Sequence, residues 1–410
     1  MFKKTLAAAA ILGAFAGSAF AADVTLYGVI DTGFSYMNKS VDGSDDVNTF
    51  QMKSGQQAGT RFGLKGTEDL GNGMKVGFVL ENGFDSDDGT FDSNGDNRIF
   101  GREALLFVEG AFGHVGFGRA GQLAGGAGSY ALAGSNIHPF STGWGTVGAS
   151  TAVFGATATR FDNMITYKTP TFGGLTVYAQ YSFDNDSQAK DLAYDGKDYT
   201  AHGTEGKATV NRYYAIGAQY KVGAFEGVAI VDSINYNSKY ERGDSDPAHA
   251  KNGAFDDDAL SVTLGAAYNF GVVKAYLNGQ YFDNSKTFGK KGLIQYTNVG
   301  EVTADGKVEL KGVEGYGVNL GLDVPAFGGT AKFAVGYGEA EQTEVAAGAD
   351  TPELKIYQVA AGYIYPLSKR TSVWAAADYV SGDYNKAAAA AAKTNDTDVT
   401  EFIFGMTHKF

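Results

Sequence analysis

The chain alternates in polarity over segments of about ten residues, as sheet-forming segments do. In Leu260–Phe270, one face carries Leu260, Val262, Leu264, Ala266, Tyr268 and Phe270. The other carries Ser261, Thr263, Gly265, Ala267 and Asn269. The next segment sets Val273, Ala275, Leu277 and Tyr281 against Lys274, Tyr276, Asn278 and Gln280. Leu175–Phe183 and Phe402–Phe410 alternate in the same way. A period of two predicts strands, each with one apolar and one polar face.

The connections decide what the apolar faces meet. A soluble sandwich hides them between two sheets and turns tightly at both ends. Here short turns alternate with long, mostly acidic loops. The short turns are Glu68–Gly73, Gly110–His114, Pro170–Gly174, Val222–Gly227, Asn269–Gly271, Pro325–Gly329 and Pro366–Arg370. The long loops are 38–59, 85–99, 184–211, 238–258, 284–312, 340–353 and 382–398. With 120–159 as an eighth loop, these connections join sixteen strands. Short turns on one rim and long loops on the other predict an all-β, antiparallel transmembrane barrel, its turns periplasmic and its loops extracellular. Tyr27, Tyr36, Phe183, Tyr220, Tyr281, Tyr363 and Tyr365 near strand ends suit interfacial girdles. No domain boundary interrupts residues 22–410.

Residues 120–159 stand apart. They contain no Asp, Glu, Lys or Arg, where a window of that length would hold about seven or eight at the chain's 19% charged content. Gly-rich and broken by Pro139, the stretch is no membrane helix, and it alternates too poorly for a long strand. Its aromatic and aliphatic residues argue against disorder. A long ordered loop without charge is expected to fold into the lumen and narrow it.

Residues 1–21 read as an export signal. Lys3 and Lys4 precede the apolar run Leu6–Phe15, and Ala19-Phe20-Ala21 offers a cleavage site. Loss of the two lysines takes the formal charge from −13 to −15. With no Cys, a disulfide framework and a thiolate metal site are both excluded. A pI near 4.9 argues against nucleic acid as a partner.

Several segments carry a family resemblance: DVTLYGVIDTGF (23–34), TRFGLKGTEDLGNGMKVGFVLENGF (60–84), FGREALLFVEGAFGHVGFGR (100–119), TRFDNMITYKTPTFGGL (159–175), LGAAYNFG (264–271), YPLSKRTSVWAAADY (365–379) and FGMTHKF (404–410). Across essentially the whole mature chain they resemble the trimeric general porins of Gram-negative outer membranes. The resemblance implies a sixteen-stranded barrel, a homotrimer in lipid and lipopolysaccharide, and a third loop folded inward, at 120–159. It also implies that the assembly machinery recognises the terminal Phe410. Family members commonly place carboxylates on the third loop, and this chain has none there.

Other motifs carry little chemistry. Gly116–Gly121 matches G-x-G-x-x-G, but the next acid is Asp162 and no helix pattern follows. The runs at 85–89 and 92–97 lack the residue order of a calcium loop. His114, His138, His202, His249 and His408 are scattered, with no H-E-x-x-H or G-x-S-x-G. No cofactor, metal or catalysis is expected; a barrel enzyme and an adhesin are the distant alternatives. The basic residues matter more. If Phe161, Ile165 and Tyr167 face lipid, Arg160 points inward with Asp162, Thr166 and Lys168. With Phe62 and Leu64 outward, Arg61 and Lys65 turn inward. Arg102 and Arg119 join them as candidates, although Arg119 shares parity with Val115 and Phe117 and so also fits a subunit interface. Asp31 and Glu81 are the expected lumenal acids that oppose them. The expected function is passive diffusion of small hydrophilic solutes and ions with a weak anion preference. A channel selective for organic anions is the alternative.

Overall fold

A computed structural model describes residues 24–410 except 92–97, 156–159, 186–191, 195–196, 203–204, 207–209, 237–238, 243–251, 256, 298–299, 303–307 and 346–347. The signal read at residues 1–21 lies outside the described residues.

One antiparallel sheet of seventeen strands closes on itself, from Thr25–Val41 to Thr397–Lys409. Val47–Ser54 and Arg61–Gly71 both pair with the first strand, one above the other, so they share one of sixteen barrel positions. Closure runs in continuous register from Val29 opposite Lys409 to Val41 opposite Thr397. The seven short turns connect neighbouring strands where the alternation breaks; at the first, Gly71, Asn72 and Gly73 all take positive φ.

The two faces separate as alternation predicts. Leu264, Leu277, Leu320 and Val359 stand exposed on the outer face. Their strand neighbours Thr263, Asn278, Asn319 and Gln358 are buried on the inner one. An apolar exterior around a polar interior fits a barrel in lipid, where closure leaves no strand edge unpaired.

Several stretches expected as loops contain regular structure. Within 38–59, the first strand runs on to Val41 and Val47–Ser54 pairs back on it, Tyr36 opposite Phe50. Within 382–398, the alanine run forms a helix, Lys386–Ala392. Alanine is the strongest helix former, and the Asn385 side chain caps the Ala388 N–H at 2.8 Å. Leu192–Tyr194, Lys197–His202, Lys239–Arg242, Asn252–Phe255, Val308–Leu310 and Gly300–Val302 form a separate six-stranded sheet from three successive loops.

The loop at 284–312 is also not a simple acidic rim loop. Its hairpin, Thr287–Gly289 against Gln295–Thr297, packs Phe288, Leu293, Ile294 and Tyr296 into a buried cluster. A backbone bond from Gly289 N to Phe154 O, 3.0 Å, ties it to the segment after residue 121. Clustering hides its apolar residues, and Lys290 lies half-buried beside them.

Candidate pore constriction

The charge-free segment packs inside the barrel over its described residues, 120–155, and its composition follows from what it touches. Leu123, Tyr130, Leu132 and Ile137 join Leu105, Tyr178, Tyr213 and Ile230 of the wall. Phe140, Trp144 and Val147 pack on Trp374, Ala376 and Ile403. Ala149, Ala152, Val153 and Phe154 meet Phe282, Leu354 and Ile356. A charge in any of these three clusters would be buried at large cost. The wall makes room with glycine: a β-carbon at Gly317 would overlap the Val153 carbonyl, and one at Gly321 the Pro139 ring.

Polar residues of the wall satisfy the loop's main chain, as a buried loop requires. Asn278 Nδ2 donates to Ile137 O at 2.7 Å, and Lys332 Nζ to Pro139 O at 2.9 Å. Asp378 accepts from Gly148 N at 3.0 Å, and Glu103 from Ser129 N at 3.0 Å. His114 Nε2 and the Tyr130 hydroxyl are 2.7 Å apart. Lys290 Nζ reaches Thr142 O at 2.6 Å from the inward hairpin. Two loop groups titrate far from their ordinary values because burial disfavours charge: His138 is pushed down to about 3 and Lys290 down to about 8.

Between loop and wall a cavity of about 870 Å³ remains. Gly126–Ser129 and Ser141–Trp144 form much of its loop side. Its charged lining is Arg61, Lys65, Arg102 and Lys332 with Glu81, Glu103 and Asp323. Glu81 sits between two arginines: Arg102 Nε is 2.6 Å from Oε1, and Arg61 Nε is 3.2 Å from Oε2. The Tyr27 hydroxyl also donates to Glu81 Oε2, at 3.1 Å. Lys65 has no carboxylate within 4 Å among the described residues and lies 5.2 Å from the centre of the Tyr27 ring. Lys332 pairs with Asp323 at 2.9 Å, and Tyr276 donates to the same carboxylate at 2.8 Å.

Of the five basic residues singled out in the sequence, the structure brings Arg61, Lys65 and Arg102 together on this cavity. Arg160 and Arg119 are not among its lining residues. Arg160 Nε donates to the Arg102 carbonyl at 2.7 Å, one residue removed from the lumen. Arg119 is fixed by Asp162, 2.5 Å from Nη1, and by the Gly101 carbonyl at 2.7 Å; Arg98 approaches the same Asp162 at 2.7 Å. The reason is a break in parity. Asn163 takes φ of 48° and the pairing shifts between Gly118 and Ala120. Phe161 therefore does not meet lipid; its ring lies 4.4 Å from that of Tyr213 inside the barrel. Asp31 is fully buried and is not in the cavity lining, contrary to its expected role as a lumenal acid.

Comparison with known proteins gives this architecture its family. The profile of Gram-negative porins matches residues 7–387. An outer membrane porin protein of Bordetella pertussis (strain Tohama I) is 32% identical over 429 residues, covering 100% of both chains. The chain belongs to the Gram-negative porin family. Outer membrane porin protein 32 of Delftia acidovorans is 29% identical, over 91% of this chain and 88% of that one. Among solved structures, the outer membrane channel DcaP of Acinetobacter baumannii has the same fold at a TM-score of 0.62 and 17% identity, covering 96% and 99% of the two chains. The anion-selective porin from Comamonas acidovorans has it at 0.59 and 23%, covering 95% and 100%. This porin is an outer-membrane barrel that forms a channel for small solutes, and family and fold imply a channel, not an enzyme.

Sequence reasoning missed Lys332, Glu103 and Asp323 in the lining of this porin. The signal was available for the first. Lys332 opposes Phe333 and Val335 in its strand, as Lys65 opposes Leu64. Glu103 differs: it begins its strand next to Arg102, and both line the cavity, so alternation alone does not sort them.

Proposed function

We propose that this porin is a passive diffusion channel with a weak to moderate preference for anions, set where the inward loop faces Arg61, Lys65 and Arg102. The charge balance of the lining supports it. Four cations face three carboxylates there. Glu81 is shared by Arg61 and Arg102, so that trio keeps one positive charge. Lys332 and Asp323 cancel, Lys65 adds a second positive charge, and the nearly buried Glu103 removes one. The loop opposite adds none. Fixed charges act over roughly the Debye length, about 8 Å at physiological salt. An ion in a constriction passes inside that distance, between low-dielectric walls that focus the field. Acidic side chains of the outer loops that lie beyond that distance are screened. Arg160 and Arg119 act on the constriction indirectly, by holding the chain around Arg102 and Asp162.

We further infer a homotrimer embedded in lipid and lipopolysaccharide, exported by a signal at residues 1–21 and assembled by machinery that engages Phe410. In support of the last point, Phe410 exchanges both main-chain bonds with Gly28, at 3.1 and 3.2 Å, and its ring covers that glycine.

The test is a zero-current potential across a KCl gradient in a planar bilayer, for the wild type and Lys65→Glu. The wild type is expected on the anion side, less so at high salt, with the variant moved towards cations. A cation-selective wild type would remove the basic wall from control of permeation. Absence of conductance would remove the channel itself.

A further inference from the structure

The second barrel position is interrupted at Gly55–Thr60, between Val47–Ser54 and Arg61–Gly71. Gln57, Ala58 and Gly59 of this interruption line the cavity on the side of Arg61 and Arg102. A short segment leaving the sheet needs partners for its main chain, and Asp31 of the first strand supplies them. Its Oδ1 accepts from Gln56 N at 2.7 Å and from Gln57 N at 3.1 Å. Its carbonyl accepts from Gly55 N at 2.8 Å and from Thr60 Oγ1 at 2.9 Å, and its own N–H donates back to Thr60 Oγ1 at 3.1 Å. Thr407 of the last strand donates to Oδ2 and meets Gln57 Oε1 at 2.9 Å. The carboxylate is thus enclosed and faces the segment, not the solute path.

The far side of the segment touches the residues that set charge. Arg61 Nη1 donates to Gly59 O at 2.7 Å. A β-carbon at Gly59 would lie 2.9 Å from Arg102 Nη1, so the guanidinium packs close against that residue. Gly145 N of the inward loop donates to Gln56 O at 2.6 Å.

We propose that Gly55–Thr60 is a second constriction element, and that Asp31 is the positioning residue that pins it and thereby orients Arg61 and Arg102. This rests on the anion-preferring channel argued above. Asp31 acts through hydrogen bonds and not as a pore charge, and the two roles predict opposite signs. A lumenal carboxylate attracts cations, so removing it by Asn or by Ala would raise anion preference equally. A pinning carboxylate behaves differently. Asp31→Asn keeps one acceptor oxygen for Gln56 and Gln57 and leaves selectivity near the wild type. Asp31→Ala releases the segment, lowers anion preference and makes single-channel current noisier.

The measurement pairs zero-current potentials with hydrogen–deuterium exchange over residues 55–60, which reads the segment whether or not ions flow. Two charge-assisted bonds are lost in Asp31→Ala, so exchange there should quicken roughly tenfold or more, with Asp31→Asn in between. Gly59→Ala is the second variant, for the case in which Asp31→Ala does not assemble. It displaces the Arg102 guanidinium and should lower anion preference with exchange at Gln56 and Gln57 unchanged. Equal rises in anion preference for Asp31→Asn and Asp31→Ala, or unchanged exchange in Asp31→Ala, overturn the proposal. A silent wild type with quickened exchange in Asp31→Ala would sink the channel reading and leave the pinning intact.

Discussion

Glu81 accepts from Arg102, Arg61 and Tyr27 and is the one carboxylate on the first three barrel positions that lines the cavity. Glu81→Gln keeps the shape and removes one negative charge. Unit charges 4 Å apart interact by about 1 kcal/mol in water, so the anion-to-cation permeability ratio should rise several-fold at low salt. Arg160→Gln, whose side chain meets the Arg102 main chain outside the lining, should change it far less. Bi-ionic potentials compare the two; a larger effect at Arg160 would put that guanidinium in the ion path. Much at this scale is legible from parity. Phe62 and Leu64 facing out turn Arg61 and Lys65 in, and Lys332 follows by the same rule from Phe333 and Val335. Parity fails at Phe161, because the left-handed Asn163 inserts a step that no alternation rule sees. It also misleads at Asp31, which does lie on the inner face. Facing inward does not mean facing water, since a neighbouring segment folds over it.

At the scale of elements, strands and short turns are legible because both depend on local sequence: period two, then Gly, Pro and Asn where the chain reverses. The inward loop is legible by what it lacks, charge. The hairpin Thr287–Thr297 is not, because Lys290 and Lys291 within it and Lys286 just before it give the stretch a solvent-like composition. Its burial depends on contacts with Phe154 and Ile356, which are distant in sequence. Lys290 makes the packing testable. Burial pushes its ammonium down to about 8, with Glu401 and Asp378 pulling the other way. An unfolded lysine titrates near 10.4. Below about pH 8 both states are protonated and the folded state bears the full cost, on the order of 3 kcal/mol. Between about 8 and 10.4 the unfolded state binds more protons, so stability rises with pH; above that the cost is gone. Thermal midpoints across this window should climb in the wild type relative to Lys290→Met. Parallel curves would mean that Lys290 is not buried in the assembled barrel.

At the scale of the whole molecule, closure is the property on which the rest depends. Thr397–Lys409 pairs on one side with Thr25–Val41 and on the other with Thr371–Tyr384, and the chain ends one residue later at Phe410. Removing Phe402–Phe410 takes out the partners of Val29–Tyr36 and of Thr371–Ala377. Two rows of N–H and C=O groups would then face hydrocarbon, each unsatisfied group at a cost of several kcal/mol. No local adjustment repairs this, because the two edges are a full strand apart. The same strand anchors the inward elements: Glu401 meets Thr146 of the loop and Lys53 of the second barrel position, and Thr407 meets Asp31. A truncated chain therefore loses its barrel and the anchorage of its inward elements together. In unheated detergent the full-length protein should migrate as an oligomer and collapse to a monomer band on boiling, while the 402–410 deletion gives only monomer. A heat-modifiable oligomer from the truncated chain would mean that the first strand finds another partner, and that the sheet does not close where its two ends meet.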